Sequence, residues 1–255
     1  MNPIAFKLLG IEVRWYGILI SIGMILGLWI AYIQSDIYDI SFDVITDIFI
    51  ISLPISVLSA RLYYVIFNWS YYNGNPLEIL NIRGGGLAIH GGILGAILST
   101  YFICKHKKIN YLQLLDLISP SFILAQGIGR WGNFFNSEAH GGIVSKEFIS
   151  HFPKFIQKGM FIDGSYYHPT FLYESLWDIC IFIILIYLSR KRLKNGSIFY
   201  LYIILYSVGR FFIEGLRTDS LMIGHLRMAQ IMSLILIIIG TTLLILKNHH
   251  KKISL

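Results

Sequence analysis

Residues 112–131, LQLLDLISPSFILAQGIGRW, and the ten residues that follow, GNFFNSEAHG, decide the fold of this chain. An apolar run long enough to cross a bilayer ends in a dense group of polar side chains separated by glycines. The group begins at Arg130 and contains two asparagines and a glutamate. Such groups are costly at the edge of a hydrocarbon layer unless a ligand, a partner or a water-filled cavity surrounds them. The stretch predicts a membrane-spanning helix that ends at a functional site.

The composition of the whole chain is that of an integral membrane protein. Of its 255 residues, 55% are hydrophobic and only 14% are charged, and the mean hydropathy is +0.65. Soluble domains carry about 25% charged residues. Apolar stretches of about 17 to 25 residues recur along the chain, which is too long for the strands of a barrel. We predict an all-α polytopic membrane protein, a single domain over residues 1–255.

Seven apolar segments are predicted to be spanning helices. They cover residues 15–33, 44–66, 87–104, 112–131, 169–189, 197–216 and 227–246. The first is longer than a signal-peptide core and lacks a small-residue cleavage site, so we expect it to be retained. We expect residues 132–168 to form a small extracytoplasmic cap.

Three basic clusters predict the orientation of the chain. They lie at Lys105–Lys108, Arg190–Lys194 and Lys247–Lys252, all on the same side of a seven-helix count. The positive-inside rule makes that side cytoplasmic and places the N-terminus outside and the C-terminus inside. These short blocks at helix ends also account for much of the net charge of +7, so we expect contact with the lipid bilayer and not with nucleic acid.

The cysteines and the metal-binding residue types suggest no cofactor. Cys104 and Cys180 fall inside predicted helices, which makes a disulfide framework improbable. No spacing typical of metal ligands occurs. We therefore expect neither a metal ion nor another cofactor.

Polar residues from five predicted helices fall at one level of the membrane. With a rise of about 1.5 Å per residue, Arg61, Arg130 and Arg210 lie about 26, 27 and 20 Å from the inner ends of their helices. His90 enters about 5 Å from the outer end of its helix, and Tyr16 opens the first helix at that same end. In a hydrocarbon core about 30 Å thick, this level is the outer leaflet.

The charged members of this set need partners or access to water. Arg61, Arg130, Arg210 and Glu214 would together cost roughly 10 kcal/mol if they faced midplane lipid, at about 2.5 kcal/mol each. Arg61 and Arg217 are near enough to the outer interface to reach it by snorkelling.

Arg210 is different, because Tyr206 and Glu214 lie one turn away on the same helix face. This stripe is either an ion pair that locks helix packing or part of an anion site. In the second interpretation Arg130 and Arg210, with Asn133, form a cradle for a phosphodiester, because the guanidinium fork donates two hydrogen bonds to phosphate oxygens.

Two further segments carry histidines. His90 follows Gly84-Gly85-Gly86 and precedes two more glycines, so it is either structural or accessible to a bulky lipid or peptide. In the second case the imidazole suits proton transfer near neutral pH. The segment His168–Glu174 is typical of a helix start, with Pro169 in the first turn and Glu174 near the N-terminal dipole.

These residues closely resemble the motifs of the prolipoprotein diacylglyceryl transferase family. The family signature Gly-Arg-x-Gly-Asn-Phe-x-Asn-x-Glu-x-x-Gly is met in full by Gly129–Gly141. Matching blocks follow the family's order along nearly the whole chain: Arg14–Gly17, Ala60–Tyr64, His90–Gly92, His168–Glu174, Gly209–Glu214 and Arg217–Asp219. Ser137 and Gly215 depart from many members, and residues 132–168 are short beside some relatives, which puts the geometry of the cap in doubt and not the chemistry.

The resemblance implies an enzyme of a bacterial cell membrane with its active site near the outer leaflet. Such an enzyme transfers the diacylglyceryl group of phosphatidylglycerol to the lipobox cysteine of a prolipoprotein signal peptide, the first step of lipoprotein maturation. The products are a thioether-linked precursor and glycerol phosphate.

The resemblance also assigns roles to residues. It implies that Arg130 and Arg210 stabilise the leaving phosphate, while either His90 or the field of the arginines promotes loss of the thiol proton. The other residues expected to bind substrate or shape the cavity are Tyr16, Arg61, Gly91, Asn133, Asn136, Glu138, Gly141, His168, Tyr206, Glu214 and Arg217.

Two other functions use the same residues. A transporter or lipid-binding protein would use the arginines as an anion site, but we find no internal repeat and the polar level is displaced outward from the midplane. A different phospholipid enzyme would need a nucleophile or a metal motif of its own, whereas a thiol supplied by a partner protein explains why the chain has neither.

Overall fold

The computed structural model describes residues 1–8, 10–74, 76–82, 84–191, 193–224 and 226–249. The helices are α1 Trp15–Ser35, α2 Phe42–Phe67, α3 Trp69–Tyr72, α4 Ile89–His106, α5 Tyr111–Asn136, α6 Lys146–Ser150, α7 Lys154–Gly159, α8 Thr170–Ser189, α9 Ser197–Glu214 and α10 Met228–His249. The strands are β1 Ile4–Leu8, β2 Ile11–Arg14, β3 Ile143–Val144, β4 Phe161–Ile162, β5 Ser165–Tyr167, β6 Met222–Ile223 and β7 Leu226–Arg227.

The prediction of a polytopic, mainly helical membrane protein is confirmed. Among the described residues, six helices are long and apolar enough to cross a membrane: α1, α2, α5, α8, α9 and α10. The seventh predicted segment is α4, an 18-residue helix whose last turn carries Lys105 and His106. Each predicted segment therefore corresponds to one long helix.

Residue contacts group the chain into two compact units. The first contains residues 1–37 and 115–255, and the second contains residues 38–114. The predicted single domain over residues 1–255 stays a prediction.

In the first unit, small residues bring α1 close to α5. The Cβ position of Gly23 lies 3.4 Å from Ala125, and that of Gly27 lies 3.5 Å from the carbonyl oxygen of Ser121. Gly23 and Gly27 are four residues apart and share one face of α1. In a membrane, small residues at this spacing let two helices approach until their backbones nearly touch.

Helices α8, α9 and α10 form the rest of the first unit's helical core. The Trp177 ring covers Gly209, where no side chain has room, and its Nε1 donates to the Leu205 carbonyl at 2.9 Å. A buried apolar cluster of Ile123, Ile181, Leu185 and Ile198 ties α5, α8 and α9 together. This close packing holds α9 against α5 and α8.

Asp116 joins the start of α5 to the start of α9. Its carboxylate accepts hydrogen bonds from the backbone N–H groups of Gly196 and Phe199, the latter at 2.8 Å. The first N–H groups of a helix have no partner within that helix, and a carboxylate there also favours the helix dipole. The aspartate on α5 thus acts as the cap of α9.

A small αβ element connects α5 to α8. Its three strands form an antiparallel sheet in the order β3-β5-β4. Its core is made of buried side chains from α5, α6, α7 and α8 and from the residue after α7: Phe134, Ile149, Ile156, Phe171 and Met160. We predicted a cap over residues 132–168, but α5 continues through Asn136, so the element begins only after that residue.

The structure contains two β-hairpins that the sequence does not predict. The first, β1–β2, leads directly into α1, with Lys7 and Glu12 paired across the strands at 3.1 Å. The second, β6–β7, leads directly into α10. Strands of two to five residues leave too little alternation in the sequence to predict them.

The second unit is built on α2 and α4. Gly91 and Gly95 face α2 so closely that a Cβ on either would collide with Ser59. Ser52 and Thr100 share a hydrogen bond of 3.2 Å between the same helices. The glycines near His90 therefore serve helix packing on this side.

Candidate active site

One carboxylate in the first unit joins Arg130 to Arg210. Glu174 Oε2 lies 2.6 Å from Arg130 Nε, and Glu174 Oε1 lies 2.7 Å from Arg210 Nη1. The three side chains come from α5, α8 and α9, so three helices deliver their charges to one point. Both guanidinium groups therefore reach a single anionic group.

Further ion pairs extend this cluster into the loop that follows α9. Arg210 Nη2 lies 2.6 Å from Glu214 Oε2, one turn further along the helix. Arg217 donates to both carboxylate oxygens of Asp219, at 3.0 and 2.8 Å. It also lies 3.9 Å from Glu214 and 4.0 Å from Glu174. Three arginines and three carboxylates thus form one connected network.

The network is buried unevenly. The exposed fraction of the side chain is 20% for Arg130 and 18% for Arg210, but only 6% for Glu174 and 4% for Glu214. Buried charges require partners, and loss of one partner leaves an uncompensated charge that costs about 3 to 5 kcal/mol. Glu174 and Glu214 are therefore the buried part of the network, whereas Arg130 and Arg210 each keep part of their surface accessible.

Polar side chains continue one helical turn away from the network. Arg130 Nη2 donates to the Tyr206 hydroxyl at 3.2 Å, and Tyr202, one turn before Tyr206, is 3.2 Å from Gln126. Asp178 lies one turn after Glu174 on α8 and is 1% exposed. The arginines are therefore held in a polar layer that reaches into the helical core.

The last turn of α5 carries the two amide side chains of the signature, and Glu138 follows two residues after the helix. Asn133 and Asn136 both donate from Nδ2 to Glu138 Oε1, at 2.9 and 3.3 Å. Ser137 and Ala139 have positive φ angles of 53° and 55°, a backbone conformation that reverses the chain on either side of Glu138. The asparagines fix Glu138 against the end of the helix that carries Arg130.

Gly141 connects three segments around the site. Its N–H donates to the His168 carbonyl at 3.0 Å, and it forms an isolated β-bridge with Arg217. A Cβ on Gly141 would collide with the His168 side chain and approach the Leu216 carbonyl. The signature glycine is thus required for the packing of the loop that presents Arg217.

Two more of the expected site residues lie beside these segments. The Tyr16 ring lies where a side chain on Gly132 would stand, so the signature glycine makes room for the tyrosine. His168 Nδ1 is 3.2 Å from the Tyr173 hydroxyl, and burial lowers the pKa of His168. The neutral imidazole is therefore favoured at this position.

Arg61 of the second unit has partners of another kind. Its guanidinium donates to the backbone carbonyls of Ile79 at 2.9 Å and of Gly85 and Gly86 at 2.8 and 3.1 Å, and also to that of Glu78. Arg61 is 5% exposed, and its guanidinium carbon lies 5.1 Å from the centre of the Tyr72 ring. Arg61 thus holds the loop between α3 and α4, and its part in substrate binding stays a prediction.

His90 and Gly91 also belong to the second unit. His90 is exposed in the first turn of α4, and its ring centroid lies 6.2 Å from that of Tyr63. Gly91 is buried against Tyr63 and Ser59 of α2. The close approach predicted at Gly91 is therefore an approach between helices.

Glu174 is central to the network, although its sequence position predicts a role at a helix start. It was expected near the N-terminal dipole of its helix, but it is the fifth residue of α8, beyond the first turn. Its partners are the two arginines. A sequence signal existed, because Glu174 and Asp178 are acids four residues apart in an apolar spanning helix, and acids in such helices require partners.

The fold and this cluster define a polytopic membrane protein in which arginines and buried carboxylates from three helices form one charged network. The prolipoprotein diacylglyceryl transferase family matches residues 3–246. The chain belongs to the prolipoprotein diacylglyceryl transferase family.

Individual relatives cover nearly the whole chain. It is 66% identical over 252 residues to the phosphatidylglycerol–prolipoprotein diacylglyceryl transferase of Clostridium novyi (strain NT), covering 99% of this chain and 98% of the relative. It is 52% identical over 255 residues to the protein of the same name from Clostridium kluyveri (strain ATCC 8527), with 100% of both chains covered. The protein of that name from Clostridium botulinum (strain Loch Maree) is 56% identical over 240 residues, 94% of each chain.

Proposed function

We propose that this protein transfers the diacylglyceryl group of phosphatidylglycerol to the lipobox cysteine of a prolipoprotein signal peptide. The products are a thioether-linked lipoprotein precursor and glycerol phosphate. The observation that carries the proposal is the meeting of Arg130 and Arg210, from two helices, at one carboxylate. A site that holds two guanidinium forks around one anionic group suits the phosphate of an anionic lipid.

The chemistry is a displacement at the lipid's glycerol carbon. The cysteine thiol gives its proton to His90 or to water, and the thiolate sulfur forms a bond to the glycerol carbon that carries the phosphate. The bond between that carbon and the phosphate oxygen breaks, and its electron pair stays on the oxygen of the leaving glycerol phosphate. Arg130 and Arg210 neutralise the growing negative charge, an effect that is strongest in a site shielded from water.

Removal of the thiol proton has two candidate agents. A free thiol has a pKa near 8.5 and reacts as the thiolate, so assistance matters at neutral pH. His90 is the base that the family resemblance suggests. The positive field of Arg130 and Arg210 is the alternative, because a nearby positive charge favours the thiolate.

The same proposal includes an orientation in the membrane. The clusters after α8 and in α10 lie at one end of the first unit, where Lys194 Nζ donates to the Lys247 carbonyl at 2.6 Å. Arg192 and residues 250–252 of these clusters are outside the described residues. The positive-inside rule makes this end cytoplasmic. The arginine cluster, at the other ends of α5 and α9, is then near the outer leaflet, and the cap over the end of α5 is extracytoplasmic.

The test is release of glycerol phosphate by the purified protein in detergent. Phosphatidylglycerol is supplied with a lipobox peptide that has either its cysteine or a serine in that position. We expect release only with the cysteine peptide, in equal amount to thioether formation measured by mass spectrometry. Equal release with both peptides would show hydrolysis and would overturn the proposal.

A further inference from the structure

We propose that the Glu174 carboxylate holds the position between Arg130 and Arg210 that a phosphate oxyanion takes on binding, so that the anionic lipid binds by exchange with this carboxylate. This inference rests on the proposed function, because it takes phosphatidylglycerol as the ligand. Glu174 is then a positioning residue whose contacts with the arginines are exchanged during binding.

The first argument is the geometry of the bridge. Each oxygen of the Glu174 carboxylate pairs with a different arginine, Oε2 with Arg130 at 2.6 Å and Oε1 with Arg210 at 2.7 Å. A phosphodiester has two non-bridging oxygens that share its negative charge, and guanidinium groups bind carboxylates and phosphates in the same manner. The two groups therefore compete for the same pair of donors.

The second argument is charge. Arg130, Arg210 and Arg217 face the carboxylates of Glu174, Glu214 and Asp219, so the network is already balanced without a ligand. An arriving phosphodiester adds one negative charge in a site of low dielectric, where an unpaired charge is costly. Withdrawal of one carboxylate from Arg130 and Arg210 restores the balance around these two arginines.

The third argument is that Glu174 has another cation within reach. Arg217 Nη1 lies 4.0 Å from Glu174 Oε1, at the edge of ion-pair distance. A small rotation of the Glu174 side chain exchanges its two arginines for this third one. Arg217 follows the end of α9 by three residues, in the loop that Gly141 anchors, so the receiving partner is held beside the bridge.

Glu214 does not bridge Arg130 and Arg210 and is the matched control. It is buried like Glu174 and pairs with Arg210, but it makes no ion pair with Arg130 within the described network. It lies on the same helix as Arg210, four residues away, so its contact is local. Replacing either acid by its amide removes one negative charge, but only Glu174→Gln removes the bridge.

The experiment is equilibrium binding of phosphatidylglycerol to the full-length protein in detergent without peptide, so that no turnover occurs. We expect Glu174→Gln to bind the lipid about tenfold more tightly than the wild type. In the wild type the ion pairs of Glu174 must break before the lipid binds, and the amide removes this cost. Glu214→Gln, which leaves the bridge in place, should tighten binding less than Glu174→Gln does. Phosphate-free diacylglycerol should bind all three proteins equally.

Several outcomes would overturn the exchange. Weaker binding by Glu174→Gln would mean that the carboxylate only orients the arginines, and equal tightening by both amide variants would mean a general charge effect. Tightening toward inorganic phosphate with no change toward phosphatidylglycerol would exclude the lipid as the exchanging ligand. Glu174→Asp keeps the charge but is too short to bridge both arginines well, so it should also tighten binding. It replaces Glu174→Gln in the experiment if the amide variant does not fold.

A double-mutant comparison tests the receiving partner. We expect Arg217→Gln to weaken lipid binding in the wild type but to have little effect in Glu174→Gln, where no displaced carboxylate needs it. Equal effects in both backgrounds would contradict the inference. If the wild type releases glycerol phosphate with the cysteine peptide and these binding results fail, only the exchange is wrong; if it releases none with that peptide, the proposed function itself fails.

Discussion

Buried arginines in the two units have opposite kinds of partners. Arg61 in the second unit donates to four backbone carbonyls of one loop, whereas Arg130 and Arg210 in the first unit pair with carboxylates. Backbone carbonyls are neutral and cannot move without the chain. A carboxylate is charged and can rotate to another partner. Burial of an arginine in a membrane protein therefore does not by itself indicate a ligand site, and the two kinds of partner lead to different expectations for the two units.

The largest effect is expected at the carboxylate-paired arginines. Arg130→Lys and Arg210→Lys keep the positive charge but lose the planar fork, so each should lower kcat/KM by about 10²- to 10³-fold. The peptide-dependent release assay measures this loss. Arg217→Lys, one step removed from the bridge, is the control and should lose less. Near-normal activity in both main variants would remove the phosphate role from these arginines.

The next effect concerns His90. If it is the base, His90→Gln should lower kcat by about 10²-fold, the low end for loss of a general base, and should change the pH profile. His106→Gln, at the other end of α4, controls for general damage to the helix. Retained activity with an unchanged pH profile would leave the field of the arginines as the agent that promotes thiolate formation.

Arg61 should show the opposite pattern, with stability affected more than chemistry. Arg61→Lys leaves several loop carbonyls without a donor, so we expect a loss of about 1 to 3 kcal/mol of stability. Thermal unfolding in detergent measures this loss. The peptide-dependent activity of the remaining folded protein should fall far less than in Arg130→Lys. A large activity loss without destabilisation would return Arg61 to the list of substrate-binding residues.

The smallest effect is expected at the rim of the arginine cluster. The hydrogen bond from Arg217 holds the pKa of Asp219 below its ordinary value of 3.8. The stabilisation is therefore complete above that value and is lost as the pH falls through the folded-state pKa. Because the Asp219 side chain is 50% exposed, the contribution is at most about 1 kcal/mol. Asp219→Asn should flatten the acid limb of melting temperature against pH; an unchanged slope would contradict this.

Most of the fold could be predicted from the sequence because hydrophobic length is a strong signal in membranes. Seven apolar runs became seven long helices, and the errors lie at their ends. Helix α5 continues past Arg130 to Asn136, since polar residues at the edge of a bilayer can remain helical when their side chains bond to a neighbour such as Glu138. The hairpins before α1 and α10 were missed because their strands are too short to show alternation.

The site could be predicted only in part. Depth along each helix placed Arg130 and Arg210 at one level, and the helix face that Arg210 shares with Tyr206 and Glu214 predicted either a packing ion pair or an anion site. The same depth estimate grouped Arg61 with them, although its partners are loop carbonyls. Glu174 was assigned to a helix start because sequence spacing gives distances within one helix, whereas its partners come from two other helices.

The carboxylate of Asp116 has a consequence for the spacing of the arginines. It fastens the beginning of α9 to the beginning of α5, the two helices that present Arg210 and Arg130 near their other ends. Helices that are pinned at one end cannot slide lengthwise past each other without breaking these bonds. The distance between Arg130 and Arg210 is thus set in part at the opposite ends of their helices, about 20 Å away along α9.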